Sequence, residues 1–133
     1  MNLIIIGAQA SGKMTIGQEV ARQTGMTLFH NHDSIDFVLR FMPWSQESTA
    51  LIERIRFAFF ETFAKTGQDM IFTIVIDFND PNDVAMLEKI QAVFNPEEPP
   101  KTLTHYQKIN NTQLTAAETA QLIIQKMTHI KEN

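Results

Sequence analysis

Leu3-Ile4-Ile5-Ile6-Gly7-Ala8-Gln9-Ala10-Ser11-Gly12-Lys13 is the stretch that decides the fold. Four aliphatic residues run into a glycine, four further residues and then Gly-Lys, which is the phosphate-loop (Walker A) pattern. Helical spacing begins directly after Lys13, so the motif sits in the strand–loop–helix setting it requires. The glycines let the backbone curl until successive N–H groups point at an anion. The helix that follows adds the positive end of its dipole. Gly7, Ala8, Gln9, Ala10, Ser11, Gly12 and Lys13 are thus expected to cradle phosphates, with Lys13 reaching the outer ones of a nucleoside triphosphate. The pattern asks for Ser or Thr directly after the lysine, to meet Mg²⁺. Here Met14 stands there and Thr15 follows. A thioether is a poor ligand for a hard cation. Either Thr15 supplies the oxygen or the metal is held mostly by phosphates and water.

Outward from the loop, short apolar runs alternate with helical stretches, the signature of a parallel sheet covered by helices. Strands are expected at Leu3–Ile6, Thr27–His30, Met70–Phe78 and His105–Ile109. Helices are expected over Gly12–Thr24, from an Asp33 N-cap through Phe41, and over Gln46–Thr66, Asn82–Phe94 and Thr115–Ile130. In the long third helix Leu51, Ile55, Ala58, Phe59 and Phe63 recur at helical spacing, with Phe57 and Phe60 widening a stripe read as core. Thr115 and Glu118 have the spacing of a capping box. Asn95–Lys101 reads as loop or linker.

A chain of 133 residues is expected to form one domain with a real core. Eleven basic against 15 acidic residues give a net charge of −4, with no basic stripe, so duplex nucleic acid is an unexpected partner. No apolar run is long enough to span a membrane. The absence of cysteine fits a cytoplasmic location.

Several side chains carry candidate chemistry. Asp77 ends the long apolar run, where the carboxyl edge of a parallel sheet borders a ligand crevice. It is either a metal-side or catalytic carboxylate or the cap of the following turn. Asp33 is either a helix cap or the base that takes a proton. His30 and His32 lie two apart on a strand and so share a face. They lack a third zinc ligand in sequence and are read as substrate contacts or structural groups. Arg54 and Arg56 are two apart on a helix, so only one can face the crevice and grip a substrate anion. Trp44 caps the edge of the core or stacks on a substrate ring.

Gly12-Lys13-Met14-Thr15-Ile16-Gly17-Gln18-Glu19-Val20-Ala21 is similar to the Gly-Lys-x-Thr-Val-Gly opening of shikimate kinases. Adenylate kinases also place a non-hydroxyl residue after the lysine and Thr next. Leu28-Phe29-His30-Asn31-His32 resembles a bacterial group of shikimate-kinase-like proteins. The tail from Ile109-Asn110-Asn111-Thr112 resembles the closing strand and helix of the P-loop kinases. The resemblance implies a P-loop NTPase fold, an α/β/α sandwich with a sheet of four to five strands. It implies ATP and Mg²⁺ as ligands, with Thr15 and Asp77 on the metal side. The implied activity is γ-phosphoryl transfer to a hydroxyl of a small-molecule acceptor, with nucleotide binding alone as the alternative. Three departures accompany it. The Asp-x-Asp of shikimate kinases falls on His30 and His32, and their glycine-rich turn after the third strand is replaced by Asp77-Phe78-Asn79-Asp80-Pro81. No arginine follows Arg56, and the eleven residues between Phe94 and Tyr106 leave no room for a lid. The lid region is absent from the protein or omitted from the sequence near 95–101. An intact mass near 15.2 kDa decides for its absence.

Overall fold

The structure is a computed structural model that describes residues 2–7, 12–94 and 113–132. Its architecture is α/β. Three parallel strands, β1 (Asn2–Ile6), β2 (Thr27–His30) and β3 (Met70–Ile74), form a sheet in the order β1-β3-β2. Five helices accompany them among the described residues: α1 (Lys13–Thr24), α2 (Asn31–Leu39), α3 (Gln46–Thr66), α4 (Pro81–Phe94) and α5 (Ala116–Glu132). Four to five strands were expected and three lie among the described residues. The expected strand at 105–109, the loop at 95–101 and the tail motif at 109–112 fall outside them.

β3 is central, and all five of its residues are buried, as expected of a strand covered on both faces. It is shorter than the apolar run that contains it. Ile6 of β1 pairs with Ile74, His30 of β2 pairs with Thr73, and the Gly7 amide donates to the Ile74 carbonyl at 3.3 Å. Past Ile74 both partners have ended, so Val75–Phe78 leave the ladder. Ile76 remains apolar because it packs on the core beside α4.

Two apolar layers hold the sheet. Phe29, Phe60, Phe63, Met70, Phe72, Ile74 and Ile90 pack between the sheet and α3 and α4. Ile16, Val20, Met26, Ile71 and Ala120 pack on the other side, between the sheet and α1 and α5. On α3 the inward positions are Ile52, Phe60 and Phe63, while Ala58 and Phe59 are exposed, so the core stripe is narrower than its spacing suggested. Phe59 still lies 4.9 Å from the Phe29 ring. Trp44 does not cap the core: it is 62% exposed beside the exposed Phe41 and Met42.

Helix ends follow local chemistry. Ser45 caps α3, its Oγ accepting from the Ser48 amide at 2.9 Å while Ser48 Oγ accepts from the Ser45 amide at 2.7 Å. The Thr115–Glu118 box closes at 3.0 and 3.1 Å at the head of α5. α2 starts two residues before its expected cap. His30 holds the N-cap position, and Asp33, inside the first turn, accepts from the His30 amide at 3.0 Å. A carboxylate there also meets the positive end of the helix.

Candidate functional site

Because all three strands run parallel, Gly7, His30 and the residues after Ile74 gather at one edge of the sheet. Open α/β sheets bind ligands at that edge. α1 starts there too. Gly12 is in the left-handed conformation at φ 82°, and its carbonyl accepts the first helical bond from the Ile16 amide at 2.9 Å. An L side chain is strained in that conformation, which is why glycine precedes the lysine. Lys13 is the first residue of α1 and is only 8% exposed, the one charged side chain buried among the described residues. Burying a cation is costly unless it is paired or hydrogen-bonded. Met14 is half-buried and Thr15 exposed. Ala8, Gln9, Ala10 and Ser11 lie outside the described residues.

His30 and His32 do meet, though not across one strand face. His30 ends β2 and His32 lies in the first turn of α2. Their rings stack at 5.0 Å and 26°, with His32 Nδ1 3.2 Å from His30 Nε2. His30 Nδ1 bonds the Thr73 hydroxyl of β3. Burial holds the His30 imidazole below the usual histidine range. The neighbouring His32 and the Lys13 charge push the same way, against Asp33 and Asp36. Lys13, His30, His32 and Asp33 thus form one electrostatic neighbourhood. Asn31, between the two histidines, buries its Oδ1 with no hydrogen-bond partner among the described residues.

The two arginines differ in burial. Arg54 is exposed, whereas Arg56 is partly buried and its Nε donates to Ser34 Oγ of α2 at 3.3 Å. Burial pulls the Arg56 guanidinium down from its ordinary value, with Glu53 opposing. It stays charged at neutral pH all the same. Ser34 is itself buried and donates to the Asn31 carbonyl at 3.0 Å, tying Arg56 to the strand–helix junction.

Asp77 takes the turn-cap role. Its Oδ1 accepts from the Asn79 amide at 2.9 Å, and its own amide donates to Asp83 Oδ2 at 2.9 Å. Among the described residues no three His, Asp or Glu side chains converge as a ready metal cage. Thr73, Ser34 and Asp83 went unnoticed in sequence. Thr73 did carry a signal, being the sole hydroxyl in the run Met70–Ile76. Ser34 and Asp83 carried none, since their partners are fixed only by folding.

No family model matches the chain, and no curated protein matches it. Among solved structures it is similar to a "putative kinase" from Chloroflexus aurantiacus J-10-fl, with a TM-score of 0.56 and 18% identity. The likeness covers 69% of this chain and 52% of that one, so the chain spans about half the length of that protein. At this identity the likeness is one of fold.

Proposed function

We propose that the chain is a P-loop protein of the small-molecule kinase type, binding ATP with Mg²⁺ and transferring the γ-phosphoryl group to a hydroxyl acceptor. The observation that carries this reading is Lys13, buried at the first residue of α1 behind a left-handed Gly12 at the carboxyl edge of a parallel sheet. A point charge on a helix N-terminus suits the β- and γ-phosphates, and the Gly7–Gly12 amides would complete the cradle. The fold shared with a protein described as a putative kinase supports the same reading.

In such a reaction the protein mainly positions groups and neutralises developing charge. Mg²⁺ ordinarily keeps several waters and takes one or two protein oxygens beside the phosphates. The exposed Thr15 and the turn carboxylate of Asp77 fit that modest demand, and the cation would supply charge neutralisation. Arg56, rather than the exposed Arg54, would anchor the acceptor. His30 and His32 would contact it, and Asp33 or His32 would take the hydroxyl proton. Replacing Lys13 by Ala tests the cradle: ATP affinity measured by calorimetry should fall at least tenfold, about 1.4 kcal/mol. Unchanged affinity overturns the reading.

A second reading is a nucleotide-binding protein without transferase activity. Met14 after the lysine and the lack of any arginine beyond Arg56 favour it. The two separate on ADP release with a panel of small hydroxylated acceptors. Tight ATP binding with no acceptor-stimulated turnover selects the binding protein.

A further inference from the structure

Thr73, His30 and His32 form a continuous polar chain from the middle of the sheet to solvent. Thr73 is fully buried on β3, His30 is partly buried at the end of β2, and His32 is exposed in the first turn of α2. Thr73 Oγ1 meets His30 Nδ1, and His30 Nε2 lies 3.2 Å from His32 Nδ1. Such a chain has two neutral proton arrangements, because a hydroxyl can donate or accept and each imidazole carries one N–H. If Thr73 donates inward to His30 Nδ1, then His30 Nε2–H donates to His32 Nδ1, and His32 presents Nε2–H to solvent. If instead His30 Nδ1–H donates to Thr73, then His32 Nδ1–H donates to His30 Nε2, and His32 presents a bare nitrogen.

Satisfaction of the buried hydroxyl decides between them. Among the described residues His30 Nδ1 is the one hydrogen-bond partner of Thr73 Oγ1. In the second arrangement the Thr73 hydroxyl proton would be buried with no acceptor among the described residues, which costs on the order of 1–3 kcal/mol. The first arrangement leaves no orphan.

We infer that Thr73 locks both imidazoles as Nε2–H tautomers, so that His32 offers the acceptor a neutral hydrogen-bond donor and does not take its proton. This rests on the kinase reading above and resolves its open choice of base. His32 Nε2–H holds an oxygen of the acceptor molecule. The acceptor hydroxyl proton passes to Asp33, whose Oδ2 is bonded to the His30 amide and whose other oxygen is the receiving atom. The freed acceptor oxygen forms a bond to the γ-phosphorus as the bond to the departing ADP breaks. His30 is a positioning residue that acts through His32. Charges around it come from every element packed on it: Lys13 of α1, and His32, Asp33 and Asp36 of α2. Burial, His32 and Lys13 together favour the neutral form of His30 over the opposing pull of Asp33 and Asp36.

Nitrogen-15 NMR of the imidazoles in the whole protein at pH 7.5 tests the inference without any substrate. The expected result is both histidines protonated on Nε2, with a through-hydrogen-bond coupling between His30 Nε2 and His32 Nδ1. Protonation of His32 on Nδ1, or a charged His32, overturns it. Thr73→Val, which removes the hydroxyl donor, should weaken that coupling, while Thr73→Ser keeps it. An activity arm uses acceptor-stimulated ADP release. His32→Phe should lower kcat/KM about tenfold, and His32→Gln, which retains an N–H donor, should recover most of that loss. Equal loss in both variants makes His32 the base and overturns the inference with the kinase reading intact. No turnover with any acceptor removes the kinase reading, and the NMR arm still decides the proton arrangement.

Discussion

His30 ties the stability of the protein to pH, and the sign follows from its surroundings. Burial, His32 and Lys13 keep its folded-state pKa below the unfolded value of about 6.5. Below pH 6.5 the unfolded chain therefore takes up this proton before the folded chain does. Stability contributed by neutral His30 is complete above that value and drains away as pH falls through the folded pKa. Urea midpoints measured from pH 7.5 down to 5 should decline. A midpoint that rises over that interval in the wild-type protein contradicts the assignment. Lys13 illustrates another residue-scale point. Its number and neighbours were legible in the loop motif, but its burial was not, because burial comes from α1 seating its N-terminus against the sheet edge.

At the scale of elements, the approach of α1 to the sheet depends on Gly17. A Cβ built there would lie 3.0 Å from Leu28 Cδ1 and 3.1 Å from Thr73 Cγ2. Leu28 can rotate away, but the Thr73 methyl sits on a stiff β-branched side chain in a fully buried strand. Gly17→Ala gains at most about 1 kcal/mol of helix propensity and incurs roughly 1–3 kcal/mol of overpacking. The net expectation is a loss of about 1 kcal/mol in urea unfolding, together with a disturbed His30 resonance, because the displaced Thr73 is its partner. Ser45→Ala removes the cap of α3 and should cost about 1 kcal/mol by the same measurement. The elements themselves were largely legible. α3 is bounded by Gln46 and Thr66 as its apolar spacing and Gly67 predict, and β2 matches residue for residue. Two boundaries were not, because each is set by a bond that the apolar pattern does not carry. β3 stops where its neighbours stop pairing, although its apolar run goes on to Phe78. α2 opens early because a carboxylate in its first turn can close back on the strand that feeds it. The second bond of the Asp77 turn was likewise undecidable in sequence, since Asp83 reaches the Asp77 amide only once α4 is placed.

For the molecule as a whole, β3 is the seam on which two apolar layers meet, with α3 and α4 on one side and α1 and α5 on the other. Phe60 is fully buried at the centre of the first layer, its ring edge-on to Phe72 at 4.8 Å. Truncating it to alanine should cost about 3–5 kcal/mol, a large part of the roughly 5–15 kcal/mol typical of a domain. The candidate site hangs on the same seam, because Gly7 and His30 are placed by bonding to β3 and Thr73 belongs to it. Ligand binding and global unfolding should therefore be linked, and the linkage can be sized. At ATP a hundredfold above its Kd the folded state gains about 2.7 kcal/mol. For a chain of this length that corresponds to a rise in Tm of roughly 7–12 °C. If Lys13→Ala weakens ATP tenfold, the same ATP concentration is only about tenfold above the new Kd. The stabilisation then falls to about 1.4 kcal/mol, near half the wild-type shift. Thermal unfolding with and without ATP·Mg²⁺ measures both shifts in one titration. Equal shifts in the two proteins would mean that the nucleotide binds elsewhere, and no shift in either would remove ATP as the ligand of the Gly7–Lys13 loop.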